Sequence, residues 1–217
     1  MDFEQARFNM VEQQIRTWDV LDQHVLDSIS AIPRDEFVPE AYRNLAYSDT
    51  EIPLGYGEAM MTPKLEARVV QSLNLTASDR VLEIGTGSGY LAALMAHNCA
   101  QVTTVELHAT LLESAHQRLE EHGITDVECI EGDGIDGWKP REPFEAIAVT
   151  GSLAVARPGI ERQLTIGGRL FMVVGSEPAM EALLVTRVGE DEFTTESLFE
   201  TVLKPLVGGE GAPKFKF

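Results

Sequence analysis

Three alternate glycines, Gly85, Gly87 and Gly89, follow the apolar run Val81-Leu-Glu-Ile84 and lead into a helix-forming stretch that starts at Tyr90. A buried strand that turns through glycine into a helix leaves bare main chain at the carboxyl edge of a sheet, where open α/β folds bind ligands. The dinucleotide fingerprint wants glycine at its first, third and sixth positions, and the sixth position counted from Gly85 is Tyr90. A nicotinamide cofactor resting its pyrophosphate on this turn is therefore disfavoured. Glu106, 23 residues after Glu83, closes the next apolar run, where such folds place a carboxylate that accepts hydrogen bonds from a free ribose diol. Glu131-Gly-Asp-Gly134 closes the run after that and puts Asp133 at a third such edge. Each piece alone is commonplace, since glycines and acids often end strands. Together, in the right order on successive strands, they mark this edge as a ligand site with a carboxylate placed for a ribose diol.

These residues need a sheet to hold them. Between residues 79 and 175, apolar runs of strand length alternate with helical ones, the pattern of repeated βαβ units around a parallel sheet. Strands are expected over 80–84, 101–106, 126–130, 144–150 and 169–174, with helices over 89–98 and 109–122, the latter stopped by Gly123. Ahead of this block, Phe8, Val11 and Ile15 predict a helix over 3–16, Val25, Leu26 and Ile29 a second over 22–31, and Leu65, Val69 and Leu73 a third over 64–74. Between the second and third, Pro33, Pro39, Pro53, Gly55 and Gly57 break any regular period and predict loops with short strands. Beyond Gly175, residues 182–188 and 193–203 read as antiparallel edge strands. The expected fold class is α/β: a mostly parallel sheet with helices on both faces and an N-terminal helical extension. It is partitioned as one domain, with 1–63 as extension, 64–207 as core and 208–217 as a flexible tail.

Composition narrows the partners. With 17 Lys and Arg against 35 Asp and Glu, the formal charge of -18 repels a phosphate backbone, so nucleic acid is not an expected partner. Hydrophobic residues make up 44% and charged residues 24%, which places the chain among folded globular proteins. Cys99 and Cys129 are too few for a disulfide framework and lie in apolar surroundings, which suits a reducing compartment. The opening MDFEQARFNMVEQQIR carries acids and amides where a secretory signal needs a basic start, and no apolar run approaches the roughly 18 residues of a membrane span. A cytoplasmic location without a membrane partner is the expectation. His108, His116 and His122 lack the i, i+4 spacing of a helical metal site, and no metal is expected. Core or lid packing is the default for Trp18 and Trp138.

The pattern E-x-G-x-G-x-G over 83–89 resembles motif I of the class I S-adenosylmethionine-dependent methyltransferases, which are Rossmann-like. Further matches are Ala31-Ile-Pro-Arg-Asp-Glu-Phe-Val38, Ile52-Pro-Leu-Gly-Tyr-Gly57, Gly132-Asp-Gly134, Leu164-Thr-Ile-Gly-Gly-Arg-Leu170 and Lys204-Pro-Leu-Val207. With them, nearly the whole chain resembles the protein-L-isoaspartate O-methyltransferase family. The resemblance implies cofactor-binding roles for Glu83, Gly85, Thr86, Gly87, Gly89, Glu106, Leu107, Asp133 and Gly134. In that family the glycine loop packs on the amino-acid part of the cofactor, the acid at position 133 accepts from the adenine amino group, and the neighbouring glycine admits the ring. The implied reaction is methyl transfer to the side carboxylate of isoaspartate in damaged protein or peptide, leaving S-adenosyl-L-homocysteine.

The resemblance breaks at Gly57-Glu-Ala-Met-Met-Thr-Pro63, where the family's active-site serine falls on Met61. A thioether donates no hydrogen bond. A one-residue displacement of the loop would bring the Thr62 hydroxyl inward, but adjacent residues face different ways, so replacement is the expectation. Met60 and Met61 would then either line an apolar acceptor pocket or simply pack. Thr150, in Thr150-Gly151-Ser152, is expected near the methyl acceptor or in a plain tight turn. The lost hydroxyl keeps two alternatives open: a family member with a different acceptor, or a non-catalytic cofactor-binding module.

Overall fold

The computed structural model describes residues 2–211. Helix α1 (Phe3–Met10), capped by the Asp2 carboxylate, passes into a wide turn over Val11–Ile15 and a tight one over Arg16–Trp18. The wide turn holds one more residue than an α-turn and so rotates the inward face. Met10, Val11 and Ile15 are buried, whereas Phe8, expected inside, is exposed. Helix α2 (Gln23–Ala31) starts where the Asp22 carboxylate accepts from the His24 N–H. The irregular segment that follows contains two short antiparallel strands, β1 (Ile52–Gly55) and β2 (Glu58–Met60). Helix α3 (Pro63–Leu73) places proline where its missing N–H has no role and buries Leu65, Val69 and Leu73.

The rest builds one sheet: β3 (Arg80–Ile84), α4 (Tyr90–Ala96), β4 (Gln101–Glu106), α5 (Ala109–Glu121), β5 (Val127–Glu131), β6 (Phe144–Leu153), α6 (Pro158–Glu161), β7 (Leu164–Ser176), β8 (Ala179–Arg187) and β9 (Phe193–Thr201). The strand order is β5-β4-β3-β6-β7-β8-β9, parallel through β7 and antiparallel beyond. The chain leaves β3 in one direction for β4 and β5 and returns on its other side as β6. This reversal opens a crevice at the carboxyl ends of β3, β4 and β6. Ile84 pairs with Val105 on one side and Val149 on the other, which brings the three strand ends level.

Strand residues alternate between two apolar layers. Val81, Val102, Ala146, Ala148 and Phe171 pack with α2, α3, α4 and Leu119 of α5, while Leu82, Ile84, Ile147, Val149 and Leu170 pack with Ile160 of α6 and with Ile135 and Trp138. β7 starts at Leu164 and β8 at Ala179, earlier than the expected 169 and 182, and β5 is shifted by one residue. The ends of β6 and β9 differ from expectation for a shared reason. β6 continues to Leu153, and the last strand stops at Thr201, because residues 203–206 turn back along β6: the Ser152 N–H donates to Lys204 O and the Leu206 N–H to Ser152 O. Within the expected tail, the Ala154 N–H donates to Gly209 O, while 212–217 lie outside the described residues. Among the described residues, no helix is long and apolar enough to cross a membrane.

Candidate active site

The crevice at the β3–β6 reversal is lined by the glycine turn, the ends of β4 and β5, the β1–β2 pair and residues 203–207. Gly85 leaves β3 with φ +98°, and its N–H donates to Val105 O at 2.8 Å. A Cβ there would stand 2.3 Å from Thr150 Oγ1, so no other residue fits. The Thr150 hydroxyl is itself within 2.8 and 2.7 Å of the Ile84 and Gly85 carbonyls. Thr150 lines the crevice as expected, but its proton is committed to the glycine turn, which makes it a strut for that turn.

Glu106 ends β4 with its carboxylate buried against two backbone donors. Oε2 accepts from the Gly87 N–H at 2.9 Å and Oε1 from the His108 N–H at 3.0 Å. Each oxygen keeps a lone pair free, and the two N–H groups fix the direction in which those lone pairs point. Leu107 lines the same wall and is exposed. After β5, Asp133 Oδ1 accepts from the Ile135 N–H at 3.0 Å, and buried Gly134 backs onto Ile84. Gly89 lies outside this lining and packs against Ala115 of α5.

Beneath the turn runs a chain of hydroxyls. Thr86 Oγ1 and Thr104 Oγ1 are 2.6 Å apart, and Thr104 donates to Glu83 Oε2 at 2.5 Å. Glu83 is fully buried, and its Oε1 has no partner. Burial pushes this carboxyl up to about 8; the Thr104 donation opposes the rise, and the charges of Glu106 and Glu66 add to it. Burial thus favours the neutral acid of Glu83 over its carboxylate.

The opposite wall is held from outside the crevice by Arg34, which is completely buried. Its Nε donates to Glu66 Oε2 at 2.9 Å, Nη1 to Ala46 O at 2.5 Å and Nη2 to Met61 O at 2.5 Å. Burial raises the Glu66 carboxyl while the guanidinium pulls it down. Met60 and Met61 are both buried and both line the crevice. Thr62 does not line it: its carbonyl accepts from the Leu65 and Glu66 N–H groups at the start of α3. The displacement that would swing Thr62 inward is thus absent, because Arg34 fixes the Met61 carbonyl and α3 fixes that of Thr62. Sequence reasoning missed Arg34, Glu58 and Lys204. All three lie in segments already singled out, Arg34 in 31–38, Glu58 in 57–63 and Lys204 in 204–207, but nothing in their spacing announced the pairs they make.

Comparison with known proteins converges on one description. Residues 5–211 match the family model "Protein-L-isoaspartate(D-aspartate) O-methyltransferase". A protein of Rhodopseudomonas palustris named Protein-L-isoaspartate O-methyltransferase is 42% identical over 203 residues, covering 93% of this chain and 93% of the relative. A solved structure with that name superposes with a TM-score of 0.79 at 25% identity, over 94% of this chain and 65% of its own length. A Plasmodium falciparum structure in complex with S-adenosyl-L-homocysteine shares the fold, with a TM-score of 0.77 at 18% identity over 95% of this chain and 98% of that one.

Proposed function

The chain belongs to the protein-L-isoaspartate(D-aspartate) O-methyltransferase family, and from that premise we propose how its crevice carries out the family's reaction. The protein is an S-adenosylmethionine-dependent methyltransferase acting on L-isoaspartyl residues of damaged proteins. The observation that carries the reading is the Glu106 carboxylate, braced by the Gly87 and His108 N–H groups beside a turn that admits only glycine at position 85.

The residues present fit this cofactor. Glu106 offers free lone pairs to a ribose diol, Asp133 offers Oδ2 to an adenine amino group, and the glycine turn gives room to the amino-acid part. Glu83, with an unpartnered buried Oε1 beneath that turn, is suited to a polar group of the same part. When bound, S-adenosylmethionine supplies an electrophilic methyl group on a sulfonium. The acceptor carboxylate is already a nucleophile at neutral pH, so this chain needs to orient it and exclude water rather than remove a proton. Met60, Met61, Leu54 and Leu206 supply the apolar walls that do so. Thr150 acts through the glycine turn as a positioning residue. The free cysteines, with thiols raised by burial to about 12 for Cys99 and about 11 for Cys129, suit the cytoplasmic location proposed here.

Incubation with methyl-labelled cofactor and an isoaspartyl peptide tests the reading. Base-labile label on that peptide, and none on its aspartyl counterpart, is the expected result; cofactor binding without label rejects it. Met61 at the acceptor wall favours a second reading, in which another acceptor is used, and label on a different small carboxylate alone would select it.

A further inference from the structure

Deepening that reading, and resting on it, we propose that Lys204 binds the acceptor carboxylate and that Glu58 holds its ammonium in place until the acceptor arrives. The argument begins with charge. The crevice is lined by Glu51, Glu58, Glu66, Glu83, Glu106 and Asp133, and Lys204 is the one lysine or arginine among its described lining residues. An anionic acceptor entering such a site meets repulsion unless a cation stands at the point of entry. Glu66 is paired with Arg34, and Glu83 is buried beneath the glycine turn, which leaves the repulsion nearest the β1–β2 pair to Glu51 and Glu58.

Lys204 is rooted for this task. Its carbonyl accepts from the Ser152 N–H at 2.9 Å, Ser152 Oγ donates to Leu203 O at 2.7 Å, and the Leu206 N–H donates to Ser152 O at 3.1 Å. These bonds fasten residues 203–206 to the end of β6, next to Thr150. From there the ammonium reaches the β1–β2 pair and meets the Glu58 carboxylate, and its Nζ lies 3.8 Å from where a Gly57 Cβ would stand. The Lys204 side chain is 41% exposed and that of Glu58 24%. A pair this open to water is only weakly stabilising, so exchanging one carboxylate for another costs little. Met61 donates nothing to an acceptor, whereas an ammonium carries three donors. Lys204 thereby supplies the hydrogen bond that the Met61 position lacks.

Two substitutions with opposite expected signs test this. Lys204→Gln removes the cation and raises KM for an isoaspartyl peptide about tenfold or more, the scale of a lost charge-assisted hydrogen bond, with kcat nearly unchanged. Glu58→Gln removes the competitor and lowers KM by about threefold, a fraction of the same scale. Calorimetric affinity for S-adenosylhomocysteine stays at the wild-type value in both variants. Raising salt weakens wild-type acceptor binding, whereas in Lys204→Gln, where only the repulsion of the lining carboxylates is left to screen, it strengthens binding. If the pair is merely a latch between segments, both substitutions shift KM in the same direction, and that outcome overturns the proposal, as does an unchanged KM in Lys204→Gln. A wild-type protein that forms no methyl ester overturns the functional reading itself. Peptide binding in the presence of S-adenosylhomocysteine then still reports on Lys204: binding that Lys204→Gln abolishes supports the proposal, and binding it leaves intact, or none at all, overturns it.

Discussion

The two walls of the crevice are built by different physics. The wall formed by the glycine turn, Glu106 and Asp133 is mostly local: each group sits at the end of its own strand, the Glu106 and Asp133 carboxylates bond to backbone within about 20 residues, and only the Thr150 strut reaches the turn from farther along the chain. The wall formed by Met60, Met61 and Lys204 is assembled over distance. Arg34 reaches 27 residues to Met61 and 32 to Glu66, and Lys204 reaches 146 residues back to Glu58. Parallel strands dictate the first wall, and it suits a cofactor whose chemistry is fixed. Side-chain ion pairs hold the second, so single substitutions can retune it for a different acceptor.

Substitutions that separate the walls sharpen this contrast. The largest effect is expected from Arg34→Met, which leaves Glu66 buried without its cation and frees the Met61 carbonyl. Urea denaturation at pH 8 should show a loss of about 3–5 kcal/mol, the usual cost of stranding one member of a buried pair. The loss should shrink at pH 5, where Glu66 takes up a proton. A variant as stable as the wild type would mean that the second wall does not depend on this clamp. Next comes Gly85→Val, whose side chain collides with Thr150 Oγ1 and whose backbone must hold φ +98°. Calorimetry should find its affinity for S-adenosylhomocysteine reduced roughly 100-fold or more, the scale of about 3 kcal/mol. Glu106→Ala should weaken the same binding by about 1–3 kcal/mol, the cost of unpairing buried polar groups. Undiminished binding in both glycine-wall variants would place the nucleoside elsewhere.

A further effect concerns pH. Glu83 is raised from 4.5 to about 8 in the folded protein, so folding takes up a proton between those values. Its contribution is fully present below pH 4.5 and is lost as pH rises through 8, with a limiting slope of about 1.4 kcal/mol per pH unit. Glu83→Gln should flatten the fall in stability of the ligand-free protein between pH 6 and 9. An unaltered slope would show that Glu83 is already ionised when folded.

The contrast between the walls also explains what was legible in the sequence. The bounds of β3 and β4 coincide with the expected 80–84 and 101–106, because both are buried on both faces and their apolar and β-branched residues form short runs without polar alternation. Gly85, Glu106 and Asp133 could be placed for the same reason: a residue at the end of a parallel strand has its position fixed by that strand. The acceptor wall had no such guide. Nothing near Lys204 in the chain announces Glu58, and the bonds that fold 203–206 onto β6 are long-range backbone pairings. Thr150 lines the crevice with its proton turned to the glycine turn, a detail set by how closely Gly85 approaches it. Phe8 was misplaced because one wide turn rotates a helix face that periodicity alone takes as constant.

A crystal structure with S-adenosylhomocysteine tests the central claim most directly. The account predicts the ribose hydroxyls hydrogen-bonded to the Glu106 carboxylate, the adenine beside Asp133 and the sulfur facing the wall of Met60 and Met61. A ligand bound away from the Glu106 carboxylate, or a crevice that excludes it, would contradict the account.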